Sequence, residues 1–279
     1  MFTLSRDPPL VFRYFVSTLA DPSIQSFGEY KTNPSYLIAR SLPSTYERPH
    51  LPKINIHTHP TPILVAYSYV RDVIPKLLFS SDGSRPLSPD VEPAHSEPDY
   101  LHVVSNVSKE TPNYDIVLNI GMAPGRKFYT LETCAHRDGY SKPDVEGKTL
   151  QGDTYWKETY NSPEILHTGF NPDDVWRRWK SGLMSEDVRP SSNAGHYLCD
   201  FTYYTSMLEY WRRDASGTRP CVFLHVPGGW KQEDVLRGRQ VALGLLAACV
   251  GSQLSSASYG KQANSGCSTA NDFGDEGLS

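Results

Sequence analysis

Cys199 is the residue of this sequence best placed to do chemistry. It follows the segment Asn193-Ala-Gly-His-Tyr-Leu, a small-residue turn and a short apolar run, and it precedes an amphipathic pattern. This arrangement predicts that Cys199 is the first residue of a helix. Unpaired backbone N–H groups and the helix dipole favour thiolate over thiol there, so we expect a lowered pKa and a nucleophilic sulfur. The competing interpretation is a buried cysteine that acts only as a small apolar side chain.

A thiolate nucleophile needs a base, and the base needs a group that orients it. His225 ends the apolar run Cys221-Val-Phe-Leu-His and precedes Val-Pro-Gly-Gly. It is therefore expected at the carboxyl end of a strand, where open α/β sheets bind ligands. Glu132 follows a glycine-rich turn and lies among apolar residues, where a carboxylate is costly to bury without a partner. The imidazole of His225 is one such partner, and an arginine is the plainer alternative.

Short apolar runs alternate with helical patterns along the chain, which predicts an α/β fold with a largely parallel sheet covered on both faces. Several of the runs are apolar almost throughout, as in strands buried on both sides. Strands are predicted over 11–16, 53–58, 101–104, 115–120 and 221–226. Helices are predicted to begin at Pro34, Ile63, Asp173, Cys199 and Gln232.

Three segments differ in composition from this α/β pattern. Residues 80–98 are rich in Ser, Pro and Asp, which indicates a mobile insertion. Residues 141–171 have mixed polarity with interspersed aromatic residues, and we interpret them as a candidate lid over a site. From 252 to 279 the chain offers almost nothing to bury, so we expect a disordered tail.

The composition excludes several functions. The 279 residues carry a formal net charge of −4 without a Lys/Arg cluster, which argues against nucleic acid as a partner. No apolar run approaches the roughly 18 residues that cross a membrane. Residues 10–20 imitate part of a secretion signal, but Arg13 interrupts them. Five cysteines without a CxxC pair indicate neither a disulfide framework nor a zinc site, so we expect a reducing, cytoplasmic location.

Together these segments resemble the pyroglutamyl-peptidase I family of cysteine peptidases (family C15), and its fungal members in particular. The resemblance extends over 27–251, so we expect one domain there, with a phosphorylase/hydrolase-like three-layer α/β/α sandwich and an open twisted sheet. The matching motifs are Asn33-Pro-Ser, Ile56-His-Thr-His-Pro-Thr-Pro-Ile, Gly121-Met-Ala-Pro-Gly-Arg with Leu131-Glu, Ala194-Gly-His-Tyr-Leu-Cys-Asp and Leu224-His-Val-Pro.

The resemblance implies an omega-peptidase that removes N-terminal pyroglutamate from peptides through a thioacyl intermediate. Cys199 would be the nucleophile, His225 the general base and later acid, and Glu132 the group that orients the imidazole. No metal or organic cofactor is implied. The expected partners are peptides with N-terminal pyroglutamate, with neither nucleic acid nor membrane, and association into a homo-oligomer stays open.

The same resemblance implies an apolar slot for the lactam ring, with Phe27, Tyr197 and Leu198 as its walls. The family opens with a strand and a loop of the form Thr-Gly-Phe-x-Pro-Phe-Gly, whereas this chain has Pro22-Ser-Ile-Gln-Ser-Phe-Gly. Residues 1–26 are therefore an atypical N-terminal segment that lacks one aromatic wall. The predicted strand 11–16 is a candidate replacement for the family's first strand.

Two other functions compete with this interpretation. The departure at 1–26 leaves open a catalytically inactive relative, or a mis-spliced product, that lacks part of the substrate slot. A metal-dependent amidohydrolase is the second alternative, because a predicted strand ends in His57-Thr-His59, the His-x-His spacing of a divalent-metal site. Near the other motifs, His136, Arg137 and Asp138 are predicted to tie down a loop, and His196 to point away from the site.

Overall fold

The computed structural model describes residues 11–20, 33–79 and 114–265 of the chain. Within these ranges the strands are β1 (Val11–Ala20), β2 (Thr45–Tyr46), β3 (Lys53–Thr58), β4 (Ile63–Leu64), β5 (Ile116–Met122), β6 (Tyr129–Glu132), β7 (Cys134–His136), β8 (Ile165–His167), β9 (Val188–Ser191) and β10 (Cys221–Val226). The helices are α1 (Pro34–Ser41), α2 (Tyr67–Leu78), α3 (Tyr155–Tyr160), α4 (Pro172–Gly182), α5 (Leu198–Arg213) and α6 (Gln232–Ser265).

The main sheet has the order β2-β3-β1-β5-β10-β6-β9, with β4 paired to the end of β1. Strands β3, β1, β5 and β10 run parallel to their neighbours in this series. Strand β10 is the point where the direction changes, since it is parallel to β5 and antiparallel to β6. Strands β7 and β8 form a separate antiparallel pair.

Helices cover both faces of the sheet, which confirms the predicted α/β fold. One apolar core contains buried residues of α1, α4 and α6, and the other contains residues of α2, α3 and α5. Side chains alternate between the two cores along each strand, so Ile120 and Leu224 lie on the α6 side while Phe223 lies on the α5 side. None of the helices in the described parts of the chain has the length and apolar character that a bilayer crossing requires.

The N-terminal strand β1 lies in the interior of the sheet, between β3 and β5. Two buried hydrogen bonds hold β1 in this position. The Ser17 hydroxyl donates to Asn119 Oδ1 at 2.6 Å, and Asn119 Nδ2 donates to Ser206 Oγ on α5 at 3.3 Å. The strand predicted over 11–16 is confirmed and extends to Ala20. It thus occupies an interior place in the sheet despite its atypical sequence.

Several predicted boundaries agree with the structure, and others differ from it. Strands β3 and β10 and the starts of α1 and α6 coincide with the predictions. The helix predicted to begin at Ile63 is wrong, because Ile63 and Leu64 pair with β1 and α2 begins at Tyr67. Asp144 accepts a hydrogen bond from the Tyr67 backbone N–H at 2.9 Å and so caps this later start. The predicted strand over 101–104 and the insertion over 80–98 lie outside the described residues.

The chain from Ser252 also differs from the expected disordered tail, because α6 continues to Ser265. Leu254 packs against the core on the α6 side, and the Ser255 hydroxyl accepts a hydrogen bond from Arg178 on α4 at 2.9 Å. These contacts extend the helix past the last strongly apolar segment of the sequence. Segment 141–171, the candidate lid, contains α3 and β8, and its covering role stays a prediction.

Candidate active site

His225 and Glu132 meet across the pair formed by β10 and β6. In this antiparallel register His225 lies opposite Thr130, and Phe223 lies opposite Glu132. His225 Nδ1 is 2.8 Å from Glu132 Oε1, with the imidazole 4% exposed and the carboxylate fully buried. Because the carboxylate only accepts, Nδ1 carries the proton and Nε2 is left to take one up. Two residues 93 positions apart thus form a hydrogen-bonded pair, and their roles as base and orienting group stay a prediction.

The ionised form of Glu132 is favoured in spite of its burial. Desolvation alone would raise the pKa of this carboxyl, but the hydrogen bond and the charge of His225, with a further contribution from Arg126, hold the pKa below its usual value. An ionised Glu132 stabilises the imidazolium that forms when His225 takes up a proton.

Arg126 is a component of the site to which the sequence interpretation gave no role. Its Nη1 donates to Glu132 Oε1 at 2.5 Å and to Thr130 Oγ1 at 2.6 Å, and its Nη2 donates to the Asn193 carbonyl at 2.9 Å. Both partners proposed for Glu132 from the sequence, an imidazole and an arginine, are therefore present on the same oxygen. Arg126 also ties the strand bearing Glu132 to the turn that leads into α5.

Cys199 is the second residue of α5, one position later than predicted, and Tyr197 is the N-cap residue. The sulfur lies over β5: a Cβ added to Gly121 would stand 2.8 Å from Cys199 Sγ. Gly121 is the register partner of His225 on the adjacent strand β10. Since paired residues of adjacent strands share a face, the sulfur lies on the face that carries the His225 side chain. The absence of a side chain at Gly121 makes this close approach sterically possible.

The resting thiol is protonated, contrary to the lowered pKa expected from its helical position. Burial raises the pKa of Cys199 to about 12, the Glu132 and Asp200 carboxylates act in the same direction, and Arg126 opposes them. The favourable helix dipole is therefore outweighed by desolvation and by two carboxylates. A sulfur in this environment would need a neighbouring base to take its proton before it could act as a nucleophile.

The predicted slot residues have different surroundings. Phe27 lies outside the described residues. Tyr197 is half-buried, and its hydroxyl donates to the Pro143 carbonyl at 3.0 Å, which connects the start of α5 to the candidate lid segment. Leu198 is 1% exposed and packs in the core on the α5 side. Tyr197 is thus the more accessible of the two described wall residues.

His57 and His59 do not form part of a metal-ligand cluster. Across the described ranges, the group of three or more metal-ligating side chains comprises His136, His196 and Asp200 instead. His57 packs beside the ring of Tyr114, and His59 Nδ1 contacts the Thr61 carbonyl. The neighbours of His57 and His59 in the described residues therefore do not complete the metal site that an amidohydrolase would need.

The loop after Glu132 follows the prediction in part. Arg137 donates to the Ser162 carbonyl at 2.5 Å and pairs with Asp138 at 2.8 Å, so both residues tie down the loop as predicted. His136 and His196 instead converge on Asp200, which the sequence interpretation did not foresee. The approach of His136 and His196 to Asp200 depends on the conformation of a loop, and the spacing of these residues in the sequence does not indicate that conformation.

Comparison with known proteins gives partial sequence matches and extensive structural ones. No family model matches the chain. It is 33% identical to human pyroglutamyl-peptidase 1 over 112 residues, which are 40% of this chain and 49% of that protein, and the mouse protein gives the same values. A human pyroglutamyl-peptidase 1-like protein is 30% identical over 96 residues, 33% of this chain and 44% of that protein. The chain therefore spans about half the length of the curated relatives it matches.

The fold is similar to that of solved pyrrolidone carboxyl peptidases. A mutant enzyme from Pyrococcus furiosus aligns with a TM-score of 0.56 and 17% identity, over 88% of this chain and 99% of that one. The enzyme from Thermococcus litoralis aligns with a TM-score of 0.54 and 15% identity, over 89% of this chain and 96% of that one. These matches agree with the resemblance predicted from the motifs: part of the chain is similar in sequence to pyroglutamyl-peptidase 1, and its fold is that of the pyrrolidone carboxyl peptidases.

Proposed function

We propose that this chain is a cysteine peptidase that removes N-terminal pyroglutamate from peptides. The observation that carries the proposal is the hydrogen bond of His225 to Glu132, with the sulfur of Cys199 over the register partner of His225. A nucleophile, a base and an orienting carboxylate on one face of a sheet are the parts that acyl transfer needs. The similarity to pyroglutamyl-peptidases supports the choice of substrate.

The high pKa of Cys199 decides how the reaction begins in this mechanism. His225 Nε2 takes the thiol proton as Sγ attacks the carbonyl carbon of the pyroglutamyl residue. Glu132 stabilises the resulting imidazolium through its hydrogen bond to Nδ1. Backbone N–H groups in the first turn of an α-helix lack intrahelical partners, and in this mechanism those of α5 stabilise the oxyanion.

The remaining steps return the site to its starting state. The tetrahedral intermediate collapses, the C–N bond breaks, and the shortened peptide leaves with the proton from His225. A water molecule then gives a proton to His225 and attacks the thioester, which releases pyroglutamate and restores the thiol of Cys199. No metal or organic cofactor takes part in these steps.

Recognition of the substrate is assigned to an apolar slot with Phe27, Tyr197 and Leu198 as walls. A pyroglutamyl ring is a neutral lactam, so aromatic and aliphatic walls suit it better than a charged pocket. The described cysteines Cys134, Cys199, Cys221 and Cys249 are free thiols. A catalytic thiol requires reducing conditions, and a cytoplasmic location is therefore part of the proposal.

A fluorogenic pyroglutamyl amide tests the proposal directly. We expect turnover that is abolished by Cys199→Ala and by iodoacetamide, and that survives EDTA. Cys249→Ala is the matched control, because Cys249 is buried on the α6 side away from the site and its loss leaves turnover largely intact. A folded, monodisperse wild-type protein without turnover would identify the chain as an inactive relative instead.

A further inference from the structure

His136, His196 and Asp200 form a compact cluster beside the start of α5. His136 Nδ1 is 3.1 Å and His196 Nδ1 is 3.6 Å from the same carboxylate oxygen, Asp200 Oδ2. The two imidazole rings face each other with centroids 4.4 Å apart, and one ligand atom from each residue lies within 4.8 Å of the others. Three potential donors of the kinds that bind borderline divalent metals therefore converge on one point.

The spacing fits a metal ion of tetrahedral geometry. Zn²⁺ binds imidazole nitrogen and carboxylate oxygen at about 2.0–2.2 Å, so two ligand atoms on one tetrahedral edge lie roughly 3.3–3.5 Å apart. The two nitrogen-to-oxygen distances in this cluster, 3.1 and 3.6 Å, bracket that edge length. A metal ion could enter with shifts of a few tenths of an ångström on these two edges.

The surroundings hold the ligands in place and leave one side open. Asp200 is fully buried, and its Oδ1 accepts the backbone N–H of His136 at 3.2 Å, which leaves Oδ2 directed at the two rings. The side chain of His136 is 20% exposed and that of His196 is 44% exposed, so an ion can reach them from solvent. A partly exposed set of three ligands leaves a fourth position for water, as in many zinc sites.

His196 also has an unusual backbone conformation. Its φ of 46° lies in the left-handed region, which a non-glycine residue occupies at a cost. Gly139 fits against its ring, where an added Cβ would stand 3.0 Å from His196 Nδ1. Strained residues of this kind cluster at ligand sites, where the surrounding structure maintains them.

We propose that His136, His196 and Asp200 bind a divalent transition-metal ion, for which Zn²⁺ is the natural probe. A cation there would neutralise a buried carboxylate whose ion-pair distances, among the described residues, are to the imidazoles of His136 and His196. The site goes beyond the proposed peptidase activity, because none of its three residues takes part in the steps assigned to Cys199, His225 and Glu132. The experiment that tests this site therefore measures metal binding and does not depend on peptidase turnover.

The experiment titrates Zn²⁺ into the EDTA-treated full chain carrying Cys199→Ala, so that the reactive sulfur cannot serve as a ligand. Isothermal titration calorimetry should show one equivalent bound. Adding His196→Asn should weaken this binding at least about tenfold, since a ligand is lost. Asparagine is chosen because it tolerates the left-handed backbone region. His167→Asn, at an exposed histidine on β8, is the matched control and should leave binding unchanged.

Two further measurements keep the result interpretable. If circular dichroism shows that His196→Asn is unfolded, Asp200→Asn replaces it, because the amide oxygen can still accept the His136 N–H while the charged ligand is lost. Co²⁺ substituted for Zn²⁺ should give the visible bands of a tetrahedral nitrogen and oxygen site without a thiolate charge-transfer band. Binding that is absent, or equal in the His196→Asn and His167→Asn proteins, would mean that hydrogen bonds alone hold the cluster together and would overturn the proposal.

Discussion

The sulfur of Cys199 lies directly over the backbone of Gly121. A Cβ added at position 121 would stand 2.8 Å from Cys199 Sγ and 2.7 Å from the ring of Phe223. Both distances are shorter than real Cβ contacts allow, so even a methyl group forces the nucleophile or the ring to move. The position of the reactive atom therefore depends on a residue that has no side chain.

Gly121→Ala is expected to impair hydrolysis strongly while the protein still folds. A displacement of the nucleophile of about 1 Å can reduce turnover on the order of 100-fold. The measurement is kcat/KM with a pyroglutamyl amide, together with thermal unfolding. Gly125→Ala is the control, because a Cβ there meets no atom within 4 Å. Equal activity of the two variants would show that the sulfur does not need its place over Gly121.

Arg126→Ala is expected to lower kcat with little change in KM. The guanidinium donates to Glu132 and to the Asn193 carbonyl, and it contacts the reacting atoms only through these groups. Its loss loosens the carboxylate that orients His225, and we expect a decrease in kcat on the order of tenfold. Lys127→Ala, at the exposed neighbouring residue, should have no effect. A rise in KM alone would instead assign Arg126 to substrate binding.

Acid should remove the stabilisation that Glu132 provides. Its pKa is below the usual value in the folded state, so the stabilisation is present above the unfolded pKa of about 4.3 and is lost as the pH falls through the folded pKa. Glu132→Gln should therefore be less stable than wild type at neutral pH, and this difference should shrink below about pH 4.3, by at most about 1.4 kcal/mol per pH unit.

Urea unfolding at a series of pH values measures this difference. Glu164→Gln serves as the control, because Glu164 is exposed and its replacement should leave the pH dependence of unfolding as in wild type. A stability difference between wild type and Glu132→Gln that stays constant from pH 7 to pH 3 would show that folding does not lower the pKa of Glu132.

Ser17→Ala tests the interior position of β1. The substitution removes the donor to Asn119 Oδ1 in a fully buried environment, which should cost about 1–3 kcal/mol of unfolding free energy. Thr45→Ala on the exposed edge strand β2 is the control and should change stability by less than about 0.5 kcal/mol. If both variants are equally stable, β1 does not form the buried contact with β5.

The parts of the fold that were predictable are those with strong local signals. Strand β10 is buried at all six positions and reads as a continuous apolar run, and α6 begins with acidic residues at Gln232-Glu-Asp. The short strands β6 and β9 were not predicted, since they contain polar and charged residues whose partners come from neighbouring strands. Ile63 was assigned to a helix because its pairing with β1 is likewise a non-local contact.

The candidate site shows the same division between local and non-local information. Cysteine, histidine and glutamate could be singled out by type and context, and the structure brings all three to the same face of the sheet. The raised pKa of Cys199 could not be predicted, because the helix dipole is a local effect. The burial that raises the pKa most, and the carboxylate of Glu132 that adds to it, both depend on the tertiary fold. The role of Arg126 depends on a loop conformation that brings one guanidinium to three acceptors.

The interior position of β1 has a consequence for any shortened form of this protein. A chain that starts after Ala20 would lose an interior strand of the sheet. Strands β3 and β5 would then face each other with unpaired backbone N–H and C=O groups. The gap would also remove the Ser17 hydroxyl that donates to Asn119, which lies two residues before Gly121 on β5. A form of the protein without β1 would therefore lack the strand that supports β5 next to Gly121, over which the sulfur of Cys199 lies.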